Sequence, residues 1–194
     1  MGLLRAFADA VVVGAGTVRA EGGRALWTPD FIYPAGADAF RKLRQALKKQ
    51  ADPRLVVVTA RGELDPKERA LENGALVVTT AQRAGRLRET LPAATEVRAV
   101  TDSERVEPRA VLDSLRADGL RTILTEGGPR LFGQFVESGH VNELFLTVAP
   151  NLAGQRGDQS FGLIHGTDFG RSPKWARLLS IRRHESHLFL RYAL

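Results

Sequence analysis

The residues best suited to chemistry lie in three short stretches, each following an apolar run of the kind that forms a buried strand. Glu126-Gly127-Gly128-Pro129 comes after Thr122 to Thr125 and opens a segment in which Leu131, Phe132, Phe135 and Val136 recur at helical spacing. Glycine lets a ligand approach the backbone closely, and the free amides and dipole of a helix N-terminus attract phosphate, so a diphosphate fits at Gly127 and Gly128. A plain tight turn would use the same residues. Glu126 either turns its carboxylate into the crevice beside these glycines or pairs with a neighbouring arginine.

The second stretch, Gly14 to Glu21, follows Ala10-Val11-Val12-Val13. Gly14 and Gly16 begin like a dinucleotide fingerprint, but Arg19 stands where the third glycine belongs, so the fingerprint fails. What remains is a glycine-rich strand exit with Thr17, Arg19 and Glu21. Together they offer amide, hydroxyl and guanidinium groups to a phosphate or a ribose. The third stretch, Thr59 and Arg61 after Leu55 to Val58, suits a phosphate monoester such as the 2′-phosphate of an NADP-type cofactor.

The elements that must position these stretches alternate. Buried strands are expected at 10–13, 55–58, 75–78, 97–100, 122–125 and 144–149, because short continuous apolar runs suit strands covered on both faces. Phe40, Leu43 and Leu47 mark a helix that Asp38 could cap, and Pro108 begins another that Gly119 stops. The chain opens, at Met1 to Ala8, as a helix already under way, and residues 20 to 37 read as irregular. The runs 178–182 and 188–192 flank a polar turn and form a hairpin. Such an order gives a single three-layer α/β/α domain with a mostly parallel mixed sheet and an antiparallel C-terminal hairpin. In sheets of this kind ligands bind outside the carboxyl ends of the strands, where all three stretches fall.

Composition removes several classes. The 194 residues contain no cysteine, which excludes a disulfide framework and thiolate metal sites and favours a reducing, cytoplasmic setting. The four histidines lack metal-ligand spacing, so no metal is expected. No apolar run nears the ~20 residues that span a bilayer, and none resembles a signal peptide. A net charge of +6 favours an anionic partner. The basic residues are interspersed, however, so a small anion is expected rather than nucleic acid. The densest basic group, Arg41, Lys42, Arg44, Lys48 and Lys49, reads as a solvated helix face.

Two segments, Asp9-Ala10-Val11-Val12-Val13-Gly14-Ala15-Gly16-Thr17-Val18-Arg19-Ala20-Glu21 and Thr125-Glu126-Gly127-Gly128-Pro129-Arg130-Leu131-Phe132-Gly133-Gln134-Phe135, together resemble the riboflavin-biosynthesis pyrimidine reductase family, and Val141 to Pro150 continues the likeness. That family is the reductase half of bifunctional deaminase-reductases and has a dihydrofolate-reductase-like fold. The resemblance implies hydride transfer from NADPH to a small heterocyclic or ribosylamino-pyrimidine substrate, in a homodimer. It implies cofactor contacts at Thr17, Glu21 and Thr59 and around the diphosphate at Gly128, Pro129, Arg130, Leu131 and Phe132, with Glu126 facing substrate. Where the family carries an Asp-x-Pro-x-Leu stretch ending in an arginine, this chain has Glu21-Gly22-Gly23-Arg24-Ala25-Leu26, and Arg24 is the substitute. The family's opening strand with a Ser-Leu-Asp-Gly-like segment has no counterpart, so an N-terminal truncation is expected. Reduction of a pterin, or nucleotide binding without catalysis, are the alternatives.

Overall fold

The computed structural model describes residues 1–22, 25–152, 162–170 and 172–194. Five strands, β1 (Ala10–Gly14), β2 (Arg54–Val58), β3 (Leu76–Thr80), β4 (Glu96–Thr101) and β5 (Ile123–Thr125), form a parallel sheet in the order β4-β3-β2-β1-β5. The apolar runs follow from burial on both faces. Val11, Val13, Val57 and Val77 point into one core cluster, while Ala10, Val12, Val56, Val58, Leu76 and Val78 point into the other. Full burial of one valine contributes about 1.5–3 kcal/mol, so these three central strands anchor the domain.

Helices cover both faces. On one side lie α2 (Ala15–Ala20), α5 (Arg69–Glu72) and α6 (Ala81–Thr90), which place Val18, Leu71 and Leu87 in the first cluster. On the other lie α7 (Pro108–Ala117) and α8 (Pro129–Glu137), which supply Leu115 and Phe135 to the second. Gly119 and Gly139, both at positive φ, follow the last two. At the N-terminus α1 (Gly2–Phe7) packs against α3 (Pro29–Ile32) and α4 (Ala37–Ala46). Several features depart from the sequence reading, among them the buried strand expected at 144–149, which lies outside the parallel sheet and is largely exposed. The glycine-rich exit is itself a helix, α2, which begins directly at Ala15. Within residues 20–37 there is the short helix α3. And Gly36, not Asp38, caps α4.

The antiparallel strands form a sheet of their own. β6 (Glu143–Val148), β7 (Arg177–His184) and β8 (His187–Ala193) pair in the order β6-β8-β7, with Glu185 at positive φ in the expected hairpin turn. Cross-strand register places Leu144, Leu146 and Val148 beside Tyr192, Leu190 and Leu188 on one face, continued by Leu178 and Ile181. None of them belongs to either core cluster, and Ile181 is 56% exposed. The opposite face is mixed, with Phe145 and Phe189 beside charged groups: Glu143 accepts two hydrogen bonds from Arg191, whose guanidinium lies 5.6 Å from the Phe145 ring centre.

One carboxylate joins the start of β1 to its neighbours. Asp9 accepts hydrogen bonds from the amides of Arg121 (2.9 Å) and Thr122 (2.7 Å) and from the Lys49 ammonium. Burial pushes its carboxyl up, but Lys49 and the two amides outweigh burial and hold it below the ordinary value. A lowered folded-state value stabilises the fold above the unfolded value, near 3.9, and the contribution is lost as pH falls. Asp9→Asn is therefore expected to destabilise by about 2 kcal/mol at neutral pH, with the gap to wild type narrowing on acidification. Urea unfolding at stepped pH measures this; a gap that stays constant under acid contradicts it.

Candidate active site

Two recesses adjoin at the carboxyl end of the parallel sheet. The larger is an open groove of about 1250 Å³ whose walls are the three stretches singled out from sequence. Gly14, Gly16, Thr17, Thr59, Arg61, Gly128, Pro129, Arg130 and Leu131 all line it. At its head is the N-terminus of α8, where the amides of Arg130 and Leu131 have no partner within the helix. The Gly128 amide donates to the Thr17 hydroxyl at 3.0 Å, and a Cβ at Gly128 would sit 3.3 Å from that oxygen, so glycine permits the close junction of α2 with α8. At the far end the Thr59 hydroxyl accepts from the Gly62 amide at 3.0 Å, and Gly62 takes the positive φ that the turn around Arg61 needs.

The groove is basic. Arg19, Arg61, Arg105 and Arg130 face it against one carboxylate among the described residues, that of Glu63, which lies 4.0 Å from Arg19. Neither Arg61 nor Arg105 pairs with a carboxylate among the described residues. Arg19 also donates to the Glu63 carbonyl at 2.6 Å, strapping α2 to the loop after β2. The donor set, a helix N-terminus and four guanidinium groups along an elongated groove, fits a dinucleotide with its diphosphate at α8 and a further phosphate near Arg61. Among the described residues no group of three or more acidic or histidine side chains could hold a metal ion.

The smaller recess, about 160 Å³, is lined by Arg5, Thr17, Glu21, Ala25, Trp27, Phe31, Ile32 and Glu126. Thr17 belongs to both recesses. Glu126 is held by Arg5 in a two-pronged ion pair, Nε to Oε1 and Nη2 to Oε2, each at 2.7 Å, with side chains 7% and 13% exposed. Nη1 of Arg5 donates in addition to the carbonyls of Leu26 (2.9 Å) and Thr28 (3.2 Å). Glu126 is thus paired with an arginine, and it faces the small pocket rather than the groove that Gly128 lines. Its charge is neutralised, and its remaining lone pairs can accept N–H or O–H donors from a ligand.

Other residues fall differently from the sequence reading. Glu21 lies in the small pocket, not along the groove, and Gly127 and Phe132 line neither recess. Arg24 lies outside the described residues. The sequence reading did not pick out Arg5, Arg105, or His165, whose Nδ1 is 3.3 Å from Arg130 Nε. Arg5 had a signal: Gly2, Arg5 and Ala6 are the buried positions of α1, one helical face, and an arginine there needs polar partners.

Fold and site together define an α/β domain with an open, basic groove set beside a small pocket. The chain belongs to the RibD C-terminal domain family, whose model matches residues 1–181. It is 32% identical over 156 residues to the 2,5-diamino-6-ribosylamino-4(3H)-pyrimidinone 5′-phosphate reductase of Archaeoglobus fulgidus, covering 79% of this chain and 67% of that one. Among solved structures it superposes on a pyrimidine reductase-like protein of Corynebacterium diphtheriae with a TM-score of 0.76 at 26% identity, over 98% of this chain and 77% of that one. It also superposes on the Thermotoga maritima diaminohydroxyphosphoribosylaminopyrimidine deaminase/5-amino-6-(5-phosphoribosylamino)uracil reductase, with a TM-score of 0.69 over 99% of this chain and 47% of that one; at 21% identity that likeness is one of fold. The α/β fold expected from the resemblance stands, and family and curated relative together support an oxidoreductase.

Removing Arg5 strands a buried carboxylate, so Arg5→Ala is expected to cost about 3–5 kcal/mol of stability. Chemical denaturation reads this directly; a loss below about 1 kcal/mol, the level of an exposed pair, contradicts the description.

Proposed function

We propose that this protein is an NADPH-dependent reductase of a ribosylaminopyrimidine phosphate in riboflavin biosynthesis, acting on a CH-OH or CH-NH type group in the cytoplasm. The observation that carries the reading is the contact of the two recesses at Thr17, which sets a basic, dinucleotide-sized groove against a small pocket bearing both carboxylate and aromatic walls. The name of the Archaeoglobus protein supplies the substrate class.

When bound in the groove, a reduced nicotinamide supplies the hydride. The protein's own work is orientation and electrostatics. The amides of Arg130 and Leu131 and the side chain of Arg130 hold the diphosphate, while Arg61, presented by the Thr59–Gly62 turn, takes the terminal phosphate that distinguishes NADPH from NADH. In the pocket Trp27 lies along the pyrimidine, and Glu126, fixed by Arg5, accepts hydrogen bonds from its N–H edge. Glu21 has no ion pair among the described residues and accepts from ribose hydroxyls. Phe31 and Ile32 at the mouth help to exclude water.

The apolar face of the β6-β8-β7 sheet supports a homodimer, because a patch of this kind is seldom left in water. Light scattering is expected to give twice the chain mass, and Ile181→Asp, at the exposed edge of that face, to give the monomer. A monomeric wild type contradicts this.

Activity is tested by following NADPH oxidation with the 2,5-diaminopyrimidinone ribosyl phosphate and with its deaminated uracil counterpart. Turnover is expected with one of them; saturable NADPH binding without turnover on either would favour a nucleotide-binding module. Turnover on a dihydropterin instead would favour the pterin reading. Arg61→Ala is expected to weaken NADPH binding by roughly 10- to 100-fold, the value of one charged hydrogen bond, and to leave NADH binding alone. An unchanged preference for NADPH contradicts the assignment of Arg61.

A further inference from the structure

The basic run on α4 is not the solvated face that its composition suggests. Arg41 and Lys42 are exposed, but Arg44 is only 2% exposed and spends its guanidinium on backbone carbonyls. Its Nε donates to the Gln50 carbonyl at 2.7 Å, and its Nη1 reaches the carbonyls of Arg5 (3.2 Å), Ala6 (3.1 Å) and Ala8 (2.8 Å). These are the last carbonyls of α1 and its cap, where helix carbonyls run short of internal partners, although that of Arg5 also accepts from the Ala8 amide at 3.3 Å, and a cation there complements the helix dipole. A helix of six residues does not hold itself in water, so the position of α1 is set by what grips it.

The same end of α4 holds the other half of the small pocket. Lys49, just past the helix, pairs with Asp9, and Asp9 takes the amides of Arg121 and Thr122 at the entrance to β5. β5 runs three residues and ends immediately before Glu126. Both partners of the Arg5–Glu126 pair are therefore located from one place: α1, carrying Arg5, through Arg44, and β5, leading to Glu126, through Lys49 and Asp9.

We propose that Arg44, assisted by Lys49, is a positioning residue of the small pocket, setting the geometry of Arg5 and Glu126 toward substrate without touching substrate itself. The proposal rests on the reading of that pocket as the substrate site. A burden of this kind is consistent with the tolerances of such sites, where a shift of about 1 Å costs up to 10²-fold in rate. Lysine at position 44 retains the charge and loses the fork that reaches four carbonyls at once.

Two measurements on Arg44→Lys, with exposed Lys42→Ala as the control, decide the matter. The first needs no turnover: solvent exchange of the Arg5 Nε–H, which donates to Glu126, followed by nitrogen-resolved magnetic resonance. It is expected to quicken by roughly ten-fold or more in Arg44→Lys while the control stays at the wild-type rate. The second is the split of kinetic constants: KM for the ribosylaminopyrimidine is expected to rise roughly ten-fold or more, with NADPH affinity within about two-fold. An Arg5 Nε–H as protected as in wild type overturns the proposal. So does a parallel loss of affinity for both ligands, which marks a general loosening of the fold. If the wild type turns over no pyrimidine, the functional reading fails and the exchange measurement still decides whether Arg44 holds Arg5. Should Arg44→Lys not fold, Lys49→Gln, at the less buried tie, is expected to show the same selective rise in KM at smaller size, and a KM equal to wild type overturns the proposal.

Discussion

The buried pair between Arg5 and Glu126 ties together parts of the chain that lie 121 residues apart, and the rest of the site is arranged around it. It closes α1 onto the end of β5, and through the carbonyls of Leu26 and Thr28 it holds the segment that carries Trp27. Two charges in so dry a place are stable only when their hydrogen-bonding groups are used, and here both carboxylate oxygens and three guanidinium nitrogens are. The consequence for chemistry is that Glu126 presents a fixed acceptor in the pocket, one whose charge is already balanced. A neutral, N–H-rich heterocycle suits it better than a cation does.

The groove follows the opposite rule. Its arginines stand in solvent around a helix N-terminus, so the local field is positive and waits on an anion. Thr17 sits where the two regimes meet, with its hydroxyl accepting from Gly128. A ligand that joins a polyanionic tail to a flat reactive ring finds the tail's environment on one side of this threonine and a partner's environment on the other. The topology accounts for this meeting, because parallel strands deliver all their carboxyl-end loops to one edge of the sheet.

Much of the scaffold was legible in sequence because a strand buried on both faces must be apolar at every position, and Ala10 to Val13, Leu55 to Val58 and Ala75 to Val78 are. The groove was legible for a related reason: glycine, threonine and arginine clustered just after such runs, at Gly14 to Arg19, Thr59 to Arg61 and Gly128 to Arg130. α2 was hidden by Gly16 within it and Gly14 at its cap, because the low helix propensity of glycine masks a short helix held by packing on β1 and β2. α6 buries only Ala84 and Leu87, too few apolar positions to mark a face. The buried arginines were hidden because charge usually signals solvent. Arg44 nevertheless falls at the i+4 place of the stripe formed by Phe40, Leu43 and Leu47, a spacing that puts it on the inward face whatever its charge. Arg5 and Glu126 were unreadable as a pair, since nothing local relates residues so far apart in the chain.

The central claim, that a nicotinamide in the groove meets a pyrimidine substrate in the pocket beside Thr17, is tested most directly by tracing the transferred atom. With NADPH carrying deuterium on one face of its nicotinamide C4, and then on the other, the reduced pyrimidine product is examined by mass spectrometry. A fixed geometry predicts one deuterium in the product from one labelled face and none from the other. A product without deuterium from either face, or with equal amounts from both, would contradict it.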